Sequence, residues 1–241
     1  MFVHGFWQAA WTWDEYVMPA LADREQHCIA LSLRGHGGSE GRIRGSSIRD
    51  YVEDVSTVAE GLDTAPIVVG HSMGGFVTQH YLASGHRAAG AILVSTVPMT
   101  GAWGATFKVA ARHPWRFLKT NLTLDAGAVV ETPQAARDLL VGERVPDELF
   151  QRCFERLERA SYRVYLDLLF NRPDLREVDV PTLVIGGSED AFFSIREWQR
   201  TARALGVPVE TLQGASHQPM WEDEGAELVS VIARFVDEVG R

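Results

Sequence analysis

Short runs of apolar, often β-branched residues recur along the chain, with amphipathic stretches between them. The runs are "HCIALSL" at 27–33, "APIVVG" at 65–70, "AGAILVST" at 89–96, "PTLVIGG" at 181–187 and "VPVETL" at 207–212. Most are continuously apolar rather than alternating, the pattern of strands covered on both faces in a parallel sheet. Between them "WDEYVMPALADR", "SIRDYVEDVSTVAEGLD", "GGFVTQHYLASG" and "SIREWQRTARALG" carry apolar positions at helical spacing, and "EGAELVSVIARFVDEV" near the end is clearly amphipathic. With the opening "MFV" as a further short strand, the alternation predicts an α/β fold. Its sheet is mostly parallel, doubly wound, of about six strands and flanked by helices.

One gap interrupts the alternation. From 97 to 179 there is no convincing strand, only helix-like pieces such as "GATFKVAARHPWRFLKT", "TPQAARDLL" and "PDELFQRCFERLERASYRVYLDLLF". An insertion of this length between neighbouring strands is uncommon unless it forms a unit of its own. The chain therefore divides into a core of 1–96 plus 180–241 and a helical cap of 97–179. The cap is expected over the carboxyl ends of the strands, where open α/β sheets hold their ligands.

Composition narrows the partners. At 241 residues, 46% hydrophobic and 23% charged, the chain suits one elaborated globular unit. Its formal net charge of -9 opposes phosphate backbones and anionic lipid, so the expectation is no nucleic-acid and no membrane partner. Arg42, Arg44 and Arg49 alternate with Glu40, Asp50, Glu53 and Asp54 and read as a solvated surface. Cys28 and Cys153 lie far apart and read as buried free thiols. The opening "MFVHGFW" lacks the basic flank and apolar stretch of a signal peptide, and no run is long enough to span a bilayer, which favours a cytoplasmic location. Without a secretion signal, the sequon at Asn121 is a chance match.

The candidate chemistry gathers at predicted strand ends. "GHSMGG" follows the third strand and fits G-x-S-x-G, a strand-to-helix turn that holds a serine, here Ser72, in strained geometry with its hydroxyl exposed. The following helix aims its positive end at the site. His4-Gly5-Phe6 follows the first strand, so the amides of Phe6 and Met73 can form an oxyanion hole. Asp190 follows the strand at 182–186, and His217 follows the strand ending near Leu212. Glu189 is the rival to Asp190, since either carboxylate could orient an imidazole. His71 is expected to pack beneath the turn, and His4 to brace the oxyanion loop. The remaining histidines show no metal-ligand spacing, and neither metal nor cofactor is expected.

Together, "HGFWQAAWTW", "RGHGGS", "GHSMGG", "SEDAF" and "GASHQPM" resemble the α/β-hydrolase fold superfamily over nearly the whole chain. The likeness is to the small capped serine esterases that include plant methylesterases and hydroxynitrile lyases. The resemblance implies Ser72 as nucleophile, His217 as general base and Asp190 as the orienting carboxylate. Two features depart from the pattern. Ser32 stands before Leu33-Arg34 where the family usually has aspartate, and the chain begins three residues before His4, so the true start is allowed to lie upstream. The lysine that hydroxynitrile lyases carry between acid and histidine has no counterpart, because the only lysines are Lys108 and Lys119.

The leading functional expectation is hydrolysis of an ester of a small, largely apolar, uncharged substrate through an acyl-enzyme. A small-molecule receptor that retains the triad is the alternative. Thioester, lactone or carbon-carbon bond hydrolysis and a cofactor-free peroxidase or oxygenase activity also remain open. Trp7, Trp103, Phe107 and Phe192 are expected to line the substrate pocket, while most other aromatics of the insertion form its core. The oligomeric state is left open.

Overall fold

The computed structural model describes residues 1–240, Glu224 by its backbone alone. Six strands form one sheet: β1 Phe2–Val3, β2 Ala30–Leu31, β3 Ile67–His71, β4 Gly90–Val94, β5 Thr182–Gly187 and β6 Val209–Leu212. Their order across the sheet is β2-β1-β3-β4-β5-β6, and every neighbouring pair is parallel. The run at 27–33 yields only two strand residues. Its sole partner is β1, in the register Phe2↔Ala30 and Val3↔Leu31, so the ladder is no longer than β1 itself. In contrast, β3 starts later than its apolar run and extends to His71, paired with Val94 of β4.

Five helices belong to the sheet: α1 Val17–Ala22, α2 Ile48–Glu60, α3 Met73–Ala83, α9 Ile195–Ala204 and α10 Ala226–Val239. Five more come from the segment between β4 and β5: α4 Trp103–Arg112, α5 Pro114–Thr123, α6 Pro133–Leu140, α7 Asp147–Phe154 and α8 Tyr162–Phe170. A capping box starts α2, with the Ser47 hydroxyl accepting from the Asp50 amide and the Asp50 carboxylate accepting from the Ser47 amide.

Two of the helical pieces expected in this segment are each broken in two. Pro114 has no amide to continue α4, and its fixed φ instead begins α5. Between α7 and α8 the chain leaves the helix until Ser161, whose hydroxyl accepts from the Val164 amide and starts α8. The core is continuous from sheet to insertion and includes the fully buried Trp13, Trp198 and Trp221. Cys153 is a buried free thiol, with burial pushing its pKa up to about 12. Cys28 is only half-buried, because it precedes the short edge strand β2.

The strand order reverses direction around β1. The chain passes from β1 to β2 on one side, then returns to β3 on the other. Such a switch point leaves a crevice at the carboxyl ends of the strands. His4, Gly5 and Phe6 leave β1 there, and Ser72 leaves β3 beside them.

Candidate active site

The turn after β3 is built around two close approaches. A Cβ on Gly74 would collide with the carbonyls of Val3 and His4, and one on Gly70 would strike Thr78 and Gly74. Only glycines let the helix start this close to β1. Between them Ser72 has φ 51° and ψ -115°, a strained conformation for a residue with a side chain. Its backbone is held from three sides. The Ser72 amide donates to Val94 O at 3.0 Å, and its carbonyl accepts from Phe76 N and Val97 N, each at 3.1 Å.

His217 Nε2 lies 2.9 Å from Ser72 Oγ, and His217 Nδ1 lies 2.7 Å from Asp190 Oδ2. The other Asp190 oxygen accepts from the amides of Phe192 at 2.7 Å and Phe193 at 2.9 Å. The side chain is fully buried with both oxygens in hydrogen-bond contact, and its hold on Nδ1 leaves Nε2 of the imidazole facing the serine. Glu189 is exposed, and its amide is tied to Ala215 O at 2.9 Å. The contest between the two carboxylates is therefore decided by geometry: Asp190, and not Glu189, meets His217. Gly187 makes this possible, because a side chain there would run into the backbone of Ala215 and Ser216, which leads into His217.

Two further histidines are neutral braces. Burial pushes the pKa of His71 well below its usual value, and its Nε2 donates to the carbonyl of His217 at 2.9 Å. Burial also lowers His4, to about 3, and its Nε2 accepts from the Leu33 amide at 3.1 Å while Nδ1 faces Gly5 O at 2.8 Å. His4 thereby ties the loop after β1 to the end of β2. The amides of Phe6 and Met73 have no acceptor among the described residues, and both residues line the same cavity as Ser72.

That cavity has a volume of about 80 Å³ and is lined mostly by apolar side chains. On a measure that allots roughly 10–15 Å³ to a water, this is room for roughly five to eight water-sized groups. Ser72, His217, Trp7, Phe192 and Phe193 form one end. The Phe192 ring meets His217 edge-on at 4.7 Å, and Trp7 is anchored by its Nε1 donating to Ala126 O at 3.0 Å. The other end comes from the segment between β4 and β5, chiefly Ala102 just before α4, Ala105 and Val109 of α4, Phe117 of α5 and Leu168 of α8. Thr120 Oγ1 is a buried polar atom on this lining without a hydrogen-bond partner among the described residues.

The structure does not place Trp103 and Phe107 in the cavity. The face of α4 that carries Ala105 and Val109 turns inward, so Trp103 and Phe107, one turn apart, turn outward. Trp103 donates from Nε1 to Leu169 O at 2.9 Å, and Phe107 is largely exposed. The expectation followed side-chain size, whereas small residues are what leave a cavity open.

Several supporting groups were not anticipated. Gln8 donates to Gln218 Oε1 at 3.0 Å and links the loop after β1 to the loop of His217. Glu222, buried and with its pKa raised by burial, accepts from the Ser216 amide at 2.9 Å and from the Ser216 hydroxyl. These partners lie far apart in sequence, or in a loop without periodicity, and neither arrangement leaves a local signature. No group of three or more potential metal ligands occurs among the described residues. No described helix is long and apolar enough to cross a membrane.

A carboxylate, an imidazole and a hydroxyl in series can transfer a proton from serine to histidine, and two free amides can receive a developing oxyanion. Comparison with known proteins agrees with this architecture. Over 235 residues the chain is 28% identical to a non-heme haloperoxidase of Rhodococcus erythropolis, covering 90% of this chain and 84% of that one. An esterase from Rhodococcus sp. ECU1013 superposes with TM-score 0.76 at 26% identity, covering 99% of this chain and 90% of the other. An esterase from Exiguobacterium antarcticum gives TM-score 0.82 at 17% identity over 98% and 90% of the two chains, a likeness of fold. The sequence profile of the alpha/beta hydrolase family matches residues 1–231, nearly all of the sheet and the segment it carries. On that match, and on the sheet order and turn just described, the chain belongs to the alpha/beta hydrolase family.

Proposed function

We propose that this protein is a serine hydrolase that cleaves esters with a short, uncharged, largely apolar acyl group. The observation that carries the reading is the unbroken relay Asp190, His217, Ser72 at the mouth of a small apolar cavity. In this reading His217 Nε2 takes the proton of Ser72 Oγ as the oxygen attacks the ester carbonyl. The amides of Phe6 and Met73 receive the oxyanion. As it collapses, the carbon-oxygen bond to the alcohol breaks and His217 returns the proton to the departing oxygen. Water deprotonated by the same imidazole then releases the acid and restores the serine. The helical insertion acts as a cap in this scheme, with the acyl chain between α4, α5 and α8.

The named relatives favour this chemistry and add a second reading. Solved esterases share the fold, one of them at 26% identity. The likeness to a protein named a non-heme haloperoxidase adds a peroxide-dependent reading; on this site it would take the form of hydrogen peroxide, instead of water, accepting the acyl group from Ser72 and leaving as a peracid. Both routes need the serine. A purified Ser72→Ala protein should lose ester hydrolysis by up to about 10⁶-fold and peroxide-dependent oxidation with it. Oxidation that survives the substitution removes the second reading. A folded wild-type protein that neither turns over aryl esters nor reacts with a fluorophosphonate is a binding protein instead.

A further inference from the structure

We propose that the outer face of α4 and α5 is a docking surface for an anionic lipid bilayer. Every large hydrophobic side chain that stands exposed among the described residues lies on the insertion: Trp103 and Phe107 of α4, Trp115, Leu118 and Leu122 of α5, then Leu124 and Phe170. Trp115 is 81% exposed and Leu122 75%, values far from those of side chains packed on a core. The helices explain the concentration. Phe117 and Thr120 face the cavity, so Trp115, Leu118 and Leu122, at i, i+3 and i+7, share the opposite face. On α4 the outward Trp103 packs against Phe107 at 6.2 Å and edge-on against Phe170 at 5.2 Å, forming an apolar patch on the surface.

Charge decides the partner. The stretch 103–123 contains Lys108, Arg112, Arg116 and Lys119 and no Asp or Glu, in a chain whose net charge is -9. It holds both lysines of the protein. Among the described residues only Glu131 and Asp138 pair with this segment. Glu131 is shared by Arg116 and Lys119, and Asp138 lies 4.0 Å from His113. Lys108 donates to the Phe192 carbonyl at 2.9 Å, which leaves its charge uncompensated. Exposed tryptophan, phenylalanine and leucine on a stretch whose basic side chains outnumber the carboxylates paired with it is the chemistry of helices that lie in the headgroup region of anionic membranes. A second copy of the chain fits less well, because a two-fold contact through this face would bring two faces of the same net positive charge together. The expectation of no membrane partner rested on the net charge and on finding no local basic patch, and it did not weigh the stretch 103–123. Docking here does not depend on the hydrolysis proposed above.

The test is co-sedimentation of the intact protein with vesicles. One set is phosphatidylcholine alone, the other phosphatidylcholine with phosphatidylglycerol. The wild type is expected to partition at least about tenfold more strongly onto the anionic vesicles, with binding that weakens as salt rises. Trp115→Ser combined with Leu122→Ser should lose binding to both sets. Arg112→Glu should lose about tenfold on the anionic vesicles and little on the neutral ones. All these side chains are exposed, so far-ultraviolet circular dichroism should confirm that the variants stay folded. Equal partitioning onto the two vesicle sets, or none, overturns the proposal. So does a concentration-dependent dimer in sedimentation velocity that the Trp115 and Leu122 changes abolish, since the face would then join two copies.

Discussion

Ser72 is held in a positive-φ turn by bonds from β4 and α3, with its hydroxyl against His217 and His217 against Asp190; in the proposed mechanism its reactivity depends on that contact. Because Glu189 is exposed and Asp190 is buried, the two neighbouring carboxylates should respond oppositely to neutralisation. Asp190→Asn is expected to lower kcat by about 10⁴-fold through the wrong imidazole tautomer, and Glu189→Gln to leave most of it. Steady-state kinetics on an aryl ester would check both. His4 and His71 make a separate prediction about stability. Both are neutral in the fold because burial lowers their pKa values, so the unfolded chain takes up protons first as pH falls below about 6.5. Their contribution is full above that value and is lost as pH falls, for His4 towards pH 3. At pH 5 His4 should cost about 2 kcal/mol relative to pH 7, and His71 adds in the same direction. Glu222 acts in the opposite sense, since its raised pKa favours the protonated form in the fold, but His36 and His80 add to the two imidazoles. Urea midpoints measured from pH 7 to pH 5 should fall. A flat profile contradicts the neutral-brace assignment.

The element that most changes the reading of this protein is α4. Its sequence "WGATFKVAAR" invites the view that large aromatics form the pocket, yet Ala105, Thr106 and Val109 line it and the aromatics face out. Periodicity alone gives two faces without saying which is inward, and here the expectation was reversed. The cavity prediction follows from the corrected face. Val109→Phe should fill part of the roughly 80 Å³ space and shift acyl preference towards shorter chains, while Phe117→Ala should extend it towards longer ones. Trp103→Ala and Phe107→Ala should leave that preference unchanged. The comparison is the ratio of kcat/KM for acetyl and hexanoyl esters in each folded variant. The strand ends were far more legible. Continuous apolar runs marked β3, β4 and β5, and Gly70 and Gly74 marked the tight turn around Ser72, whereas the close approach at Gly187 went unread. The breaks at Pro114 and Ser161 were visible as residues but went unread within long helical pieces.

At the scale of the whole molecule, strand and helix alternation was enough for the fold, because parallel strands must be buried on both faces and their connections must cross over. The same alternation placed Ser72, Asp190 and His217 at carboxyl ends of strands, and the switch point at β1 explains why those ends meet. What the sequence concealed was tertiary in origin: the Gln8–Gln218 link, the Glu222 support of Ser216 and the direction of each insertion helix. The net charge of -9 is likewise an average, in which acidic residues spread over the molecule coexist with a stretch at 103–123 that holds four Lys or Arg and no Asp or Glu. The reading as a whole rests on a covalent intermediate. The most direct measurement is to quench the turnover of an aryl ester in acid, digest the protein and locate the retained acyl group by mass spectrometry. The account predicts one acyl group on the peptide that contains Ser72 and none in the Ser72→Ala protein, whose turnover is also lost. An acyl group on another residue, or more than a tenth of wild-type turnover in folded Ser72→Ala, would contradict it.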